Sequence, residues 1–192
     1  MSIRNVAVTL LLIAAGSTAQ AASLTLVPSA NPVVQTGTFT VNLVLSAADA
    51  PGWHPGLHSG AVRVDFDKTL LTYNGFSLAN GLIFFAPVAV TTSGNTQTVT
   101  LGFQNAPDTG TVGTFSFRAT GPVGSLATLG LADADDMFGS FVNKARTDVP
   151  YTPAFAGAQV NISAVPLPAG IWLLGTAIGA LAARRRFRPA AA

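Results

Sequence analysis

The sequence predicts an all-β protein, an antiparallel β-sandwich or jelly roll of about nine strands, and three observations predict it. Apolar and polar residues alternate with a period of two through residues 23–163. Turn-forming residues separate these stretches, and no convincing helical period occurs among them. The two ends, residues 1–22 and 164–192, instead combine an uncharged apolar run with arginine. We therefore expect one globular domain, residues 23–163, between two targeting segments.

Residues 1–22 have the three parts of a secretory signal peptide. Arg4 precedes an apolar run over residues 6–15, and Ala19-Gln20-Ala21 then provides the small residues of a cleavage site. We expect export through the Sec translocon and cleavage by signal peptidase after Ala21 or Ala22. A buried helix of the domain is the less favoured alternative, because strand-like sequence follows at once.

The alternation in residues 23–163 identifies the inward faces of five strands. These inward residues are Phe39, Val41, Leu43 and Leu45, then Val62, Val64 and Phe66, then Val99, Leu101 and Phe103, then Phe115 and Phe117, and finally Val160 and Ile162. Turns are predicted at Asn31-Pro32, Pro51-Gly52, Asn74-Gly75, Asn80-Gly81, residues 93–95, residues 108–110 and Gly121-Pro122. The spacing of these turns implies eight or nine short strands in two sheets.

The charge of the domain differs from that of the whole chain, whose formal net charge is +2. Residues 23–163 contain five basic residues against eight aspartates, which gives −3, and no basic stripe, so nucleic acid is not an expected partner. The absence of cysteine excludes disulfides, zinc–thiolate sites and cysteine nucleophiles. The sequence also lacks G-x-S-x-G, a phosphate-binding loop and H-E-x-x-H, and we predict that the protein is not an enzyme.

Three groups of residues could nevertheless carry chemistry, and each has a simpler interpretation. Asp133, Asp135 and Asp136 are candidate calcium ligands, but they lack the usual loop spacing, and a solvated turn is favoured over a cofactor. Trp53 could stack on a sugar ring, although tryptophan is more often buried. His54 and His58 would bind zinc only with further ligands, so a loop held by Trp53 is favoured.

Asp65 and Asp67 lie two residues apart and therefore on one face of a strand. A carboxylate pair can hydrolyse glycosides when the pKa of one member is raised. No neighbour gives a reason for such a shift. We interpret both as charges on the solvent face, with Asp67 beginning a turn.

The C-terminal segment combines an extended stretch, an apolar stretch and a basic cluster. Residues 170–183 contain no charge, yet as a helix they would span only about 21 Å of a hydrocarbon core about 30 Å thick. Pro166 and Pro168 favour extended backbone before them. The arginines that follow are Arg184, Arg185, Arg186 and Arg188, and such a cluster stays on the cytoplasmic side. The domain would then lie on the outer side of the membrane, attached by an anchor that is short or transient.

Val165-Pro166-Leu167-Pro168-Ala169, the apolar stretch and the arginine-rich end together resemble the PEP-CTERM sorting signal in its VPLPA variant. The resemblance implies an exported protein of a Gram-negative bacterium and an exosortase as processing partner, with cleavage at or near residues 165–169. It also implies an inner-membrane intermediate, followed by the cell surface or an extracellular biofilm matrix.

Residues 58–73 are similar to a stretch of the cohesin family, with Phe66-Asp67 and Leu71 at its key places. The resemblance implies a nine-stranded jelly roll that is related to carbohydrate-binding modules. Cohesins bind dockerin modules, so the resemblance implies a non-catalytic domain that binds polysaccharide or a matrix protein. The alternatives are a purely structural surface protein, an inner-membrane-anchored periplasmic domain and, weakest, a glycan-active enzyme.

Overall fold

The computed structural model describes residues 22–46, 57–134, 141–143 and 146–165, together with Thr176. Within these ranges the chain forms thirteen β-strands. They are β1 (Ser23–Pro28), β2 (Val33–Val34), β3 (Thr38–Ser46), β4 (His58–Asp67), β5 (Leu71–Leu78), β6 (Ile83–Ser93), β7 (Thr96–Ala106), β8 (Thr109–Ala119), β9 (Leu126–Asp133), β10 (Phe141–Asn143), β11 (Arg146–Tyr151), β12 (Ala154–Ala156) and β13 (Ala158–Ser163). No helix in the described ranges is long and apolar enough to cross a membrane.

The strands form two sheets that pack face to face. The small sheet has the order β12-β1-β3-β8-β5. In the large sheet, β6 pairs with β7 and β7 with β4. The other side of β4 pairs with β9 along residues 62–66 and with β10 at residues 58–59. The large sheet continues from β9 to β13 and β2, and from β10 to β11. The predicted all-β sandwich is confirmed.

The core between the sheets includes every residue that the alternation predicts to face inward, together with further apolar residues such as Leu24, Leu71 and Leu129. All fourteen of the predicted residues are at most 5% exposed. Phe117 on β8 lies at their centre: its ring centroid is 5.1 Å from that of Phe66 and 5.9 Å from that of Phe39. Phe66 belongs to the large sheet and Phe39 to the small sheet, so these aromatic contacts join the two layers.

In the large sheet, β4 packs closely against the Phe141 ring of β10 because Gly60 has no side chain. A Cβ atom at Gly60 would lie 2.2 Å from the Phe141 ring, which is fully buried. The Phe141 ring in turn contacts Phe103, Tyr151 and Phe155. Gly60 therefore makes room on β4 for the aromatic ring that attaches β10 to the core.

Two details of the predicted layout are wrong. The predicted count of about nine strands is low because β2, β10 and β12 have only two or three residues, too few to show alternation. Asn74-Gly75 is not a turn between strands: it lies inside β5, where the pairing with β8 shifts between Tyr73 and Gly75. This is a β-bulge, and Gly75 adopts a φ of 138° there. The turn predicted at Pro51-Gly52 lies outside the described residues. Asn31-Pro32, Asn80-Gly81 and Gly121-Pro122 fall between strands, whereas the turns predicted at residues 93–95 and 108–110 overlap the end of β6 and the start of β8.

The chain changes sheets at most of its connections. The connection from β7 to β8 is Pro107-Asp108, which brings Asp108 beside the first residues of β4. The connection from β12 to β13 is Gly157 alone, and it transfers the chain from the small sheet to the large one. These two crossings position the polar groups described next.

Candidate binding surface

The outer face of the large sheet carries a shallow groove, which extends over parts of β4, β7, β9 and β13. We define the groove by the residues Asp65, Thr96, Leu126, Thr128, Gly130 and Gln159. It consists of two adjoining concavities of about 400 and 550 Å³, which share Thr128 and Gly130. Leu126 and Thr128 are exposed on β9. The groove is thus open to a large partner and does not enclose a small one.

Gly130 keeps the middle of the groove open. It lies opposite Asp65 in the pairing of β9 with β4. A Cβ atom added at Gly130 would meet only Asp65, at 3.7 Å. A larger side chain at this position would therefore project into the groove and not into the sandwich.

Asp65 and Asp67 are both fixed by hydrogen bonds. The Thr98 hydroxyl on β7 donates to Asp65 Oδ1, and Arg63 Nε lies 3.8 Å from Asp65 Oδ2. Thr69 donates to Asp67 Oδ1 from its backbone N–H at 2.8 Å and from its hydroxyl at 2.6 Å. These bonds lower the pKa of Asp67, which favours the charged form over the protonated form that a general acid requires. Asp67 begins the turn after β4, as predicted.

A buried polar cluster lies at the start of β4. His58 is 0% exposed, and its Nε2 lies 2.8 Å from Asp108 Oδ1. The Tyr151 hydroxyl lies 3.2 Å from His58 Nδ1. A neutral imidazole meets both partners when Nε2–H donates to Asp108 and Nδ1 accepts from Tyr151. The cluster therefore connects β4, the β7–β8 connection and β11.

The electrostatics of the cluster follow from its burial. Desolvation lowers the pKa of His58 below its ordinary 6.5, although the hydrogen bond and the charge of Asp108 act in the opposite direction. Burial, with a contribution from the charge of Asp108, raises the pKa of Tyr151 far above its ordinary 10. Both groups are neutral near pH 7. Since His58 is shielded from solvent, the cluster has the properties of a structural network and not of a site that reaches a substrate.

The structure corrects two of the residue interpretations. His58 is the first residue of a strand and not part of a loop held by Trp53. Asp133 ends β9 instead of lying in a loop. It pairs with the inward-facing Val62, and its Oδ1 is buried. A solvated turn therefore does not describe Asp133.

The other predicted residues are described only in part. Val165, the first residue of the predicted sorting motif, is 59% exposed. The remaining ones lie outside the described residues: Trp53, His54, Asp135, Asp136, Pro166, Leu167, Pro168, Ala169, Arg184, Arg185, Arg186 and Arg188. Among the residues that are described, no three acidic or histidine side chains form a group that could hold a metal ion. The calcium hypothesis thus stays a prediction.

Sequence reasoning missed both the groove and the cluster of His58, Asp108 and Tyr151. Asp108 and Tyr151 are 50 and 93 residues away from His58 along the chain. No local pattern joins them. The one available signal was a histidine followed by small residues and an alternating strand, which places it at a strand start.

The arrangement of strands is shared with solved structures of cohesin modules. No family model matches the sequence, and no curated protein is significantly similar to it. The seventh ScaB type I cohesin from Pseudobacteroides cellulosolvens is 14% identical, with a TM-score of 0.54 over 76% of this chain and 96% of that one. The third ScaC cohesin from Acetivibrio cellulolyticus, solved in complex with the ScaB dockerin, is also 14% identical, with a TM-score of 0.53 over 74% of this chain and 99% of that one.

A type III cohesin module from the cell-surface anchoring scaffoldin ScaE of Ruminococcus flavefaciens is 10% identical, with a TM-score of 0.51 over 75% of this chain and 88% of that one. Each of the three cohesin modules is covered almost completely. Sequence identities this low support a shared fold and no shared function. The sandwich of this chain has a cohesin-like fold.

Proposed function

We propose that this chain is an exported, non-catalytic binding module that holds a protein partner in the groove on the outer face of its large sheet. The observation that carries the proposal is the cohesin-like fold, because one of its structural neighbours was solved with a dockerin bound. The partner class is a small protein domain comparable to a dockerin. A polysaccharide ligand and a purely structural role are the alternatives.

The groove has properties that suit a protein surface. It is open and shallow, and it combines the apolar Leu126 with the hydrogen-bonding groups of Asp65, Thr96 and Gln159. Protein–protein interfaces likewise combine apolar contacts with hydrogen-bonding groups. The cost of ordering is low because Asp65 is already fixed by Thr98.

The export route belongs to the same proposal. Ala22 is buried, and its carbonyl oxygen accepts a 2.7 Å hydrogen bond from the Ala154 N–H. Cleavage by signal peptidase after Ala21 keeps this contact, so we favour Ala21 over Ala22. Val165 is exposed two residues after β13 ends, which supports access of an exosortase to residues 165–169. The released domain would then reach the cell surface or the extracellular matrix.

Two matched substitutions on opposite faces test the groove. Thr128→Phe places a ring in the groove, and Thr72→Phe places the same ring on the outer face of the small sheet; both threonines are exposed. Full-length protein carrying either change is used to capture partners from extracellular material of its host. We expect a captured protein that is lost with Thr128→Phe and retained with Thr72→Phe.

The other outcomes are equally informative. Equal capture by both variants would remove the groove from the proposal. A different result would be the capture of polysaccharide and of no protein, even from extracellular material that was treated with protease beforehand. That result would favour the alternative of a carbohydrate-binding module. Trp53→Ala then shows whether Trp53 contacts that polysaccharide.

A further inference from the structure

We propose that two copies of this chain pair through strand β6, edge to edge and antiparallel, about a two-fold axis. The pairing surface is the segment Ala89–Ser93, which we call the β6 edge. It adjoins the groove, because Ser93 pairs with Thr96, the β7 residue of the groove. The β6 edge is nevertheless a different surface: it is the outer backbone side of β6, whereas the groove lies on the face of β4, β7, β9 and β13. The proposal therefore concerns self-association and not the partner of the groove.

β6 is an outermost strand. Among the described strands it pairs with β7 alone. One side of its backbone consequently presents N–H and C=O groups that no described strand meets. Such a row of groups is a template for another strand, and proteins usually block it.

The first half of β6 is blocked in this way, and the second half is not. The pairing with β7 shifts between Phe84 and Ala86 and again between Ala86 and Ala89. Pro87, which lacks an N–H, lies inside the second irregularity. From Ala89 to Ser93 the pairing is regular, residue for residue, with Thr100 to Thr96. Only this regular stretch of β6 is suited to a further strand.

The chemistry of the β6 edge points to an identical partner. Val90, Thr91, Thr92 and Ser93 are all exposed. No charged residue occurs in the sequence between Lys68 and Asp108. Edge strands are normally protected by charge, above all by lysine. Short, uncharged, β-branched segments without proline pair well with copies of themselves. A partner selected by charge would find no complementary group here.

Val90 gives the pair an apolar contact. It lies opposite Val99, whose side chain is fully buried in the core. Val90 is therefore on the core side of the sheet, yet it is 46% exposed. When the two Ala89–Ser93 segments pair antiparallel, Thr91 lies on the axis. Each Val90 is then opposite Thr92 of the other copy and diagonal to the other Val90, within reach of side-chain contact. Such an interface uses the same patch twice and closes as a dimer.

Matched valine-to-lysine substitutions test the pairing. Val90→Lys puts a charge on the β6 edge, and Val123→Lys puts one at a valine that is 52% exposed in the connection between β8 and β9. Sedimentation equilibrium of the full chain is expected to show a dimer for the wild type and for Val123→Lys. Val90→Lys should raise the dimer dissociation constant at least about tenfold, because the two lysines become diagonal neighbours of like charge near the axis.

A second measurement uses the lack of cysteine in the natural sequence. Single cysteines at positions 90, 91 and 92 are oxidised, and disulfide-linked dimers are counted. Paired strands hold opposite Cα atoms about 4.5–5.5 Å apart, within the range of a disulfide, so at least one position should cross-link faster than Val123→Cys. The proposal is overturned if the wild type stays monomeric to about 0.1 mM. It also fails if Val90→Lys dimerises like Val123→Lys, or if no cysteine on β6 exceeds the control.

Discussion

His58 shows how a single residue can connect distant parts of the chain. It is fully buried at the start of β4 and lies within hydrogen-bond distance of Asp108 and Tyr151. Protonation of Nδ1 would remove the acceptor for the Tyr151 hydroxyl. The cluster is therefore matched to a neutral imidazole. This match makes the stability of the domain dependent on pH in a defined range.

The sign of this dependence follows from the pKa of His58, which burial lowers below 6.5 in the folded state. As the pH falls through 6.5, the unfolded chain binds a proton at His58 before the folded chain does. The free energy of unfolding is therefore fully retained above pH 6.5 and decreases as the pH falls from 6.5 toward the folded-state pKa. Urea unfolding at about pH 8 and about pH 5 measures the difference.

His58→Gln isolates this contribution because glutamine does not titrate but still forms hydrogen bonds. We expect the free energy of unfolding at about pH 8 to decrease by about 1–3 kcal/mol, since one buried partner loses its bond. The dependence on pH below 6.5 should become flatter than in the wild type. A variant that keeps the full dependence of the wild type would show that another group causes it.

At the scale of the secondary-structure element, alternation was a reliable guide where a strand has one buried face. β3, β4 and β8 lie inside a sheet and pack one face on the core, so their apolar residues follow the period of two. β6 is different: its exposed residues include neighbours on both faces, because it is an outermost strand with two irregularities. Its sequence therefore gave no clear pattern.

The remaining elements depend on contacts that local sequence does not encode. β2 and β12 have two and three residues and pair in parallel with β13 and β1. Asn74-Gly75 is a common turn sequence, but here the pairing with β8 continues past it and converts it into a bulge. The groove forms only when β9 and β13 lie side by side. Their antiparallel pairing, in which Leu126 lies opposite Asn161, brings these two strands together.

The crossing from β12 to β13 provides a sharp test of packing. A Cβ atom at Gly157 would lie 2.2 Å from the carbonyl oxygen of Leu129, a backbone atom that moves only with its strand. Gly157→Ala should therefore lower the free energy of unfolding by about 1–3 kcal/mol. Gly130→Ala, next to Leu129, has room for its Cβ and should change it by less than about 0.5 kcal/mol. Equal losses in urea unfolding would contradict this account of the crossing.

At the scale of the whole molecule, the sandwich is recognisable at 10–14% identity to cohesin modules. The buried positions explain this: their spacing and apolar character define two packed sheets, while the identity of each side chain is free to vary within the volume of the core. The sequence could therefore indicate the fold class from its alternation. It could not indicate the groove, because that depends on small residues at positions facing outward.

The proposed processing of the ends is measured on the intact protein from its native host. We expect a mass that lacks residues 1–21 and about the last 25 residues, because signal peptidase and exosortase remove them. Changing Pro166 and Pro168 to alanine should retain the C-terminal segment, since it removes the extended backbone that the protease would read. A wild-type mass that includes Arg184–Ala192 would instead mean a lasting tether to the inner membrane.

The single-residue crossing at Gly157 also has a mechanical consequence. If the C-terminal segment is held as proposed, tension would enter the domain through β13, which ends at Ser163. β13 pairs with β9 from Ala158 to Asn161 and with β2 at Ile162 and Ser163. A pull along its axis would therefore load these hydrogen bonds in shear, together and not one after another. Because Gly157 leads directly into β12, which pairs with β1 in the small sheet, the load is divided between both layers. β13, the last of the described strands, would thus carry force from a held tail into the sheet that the proposed partner binds.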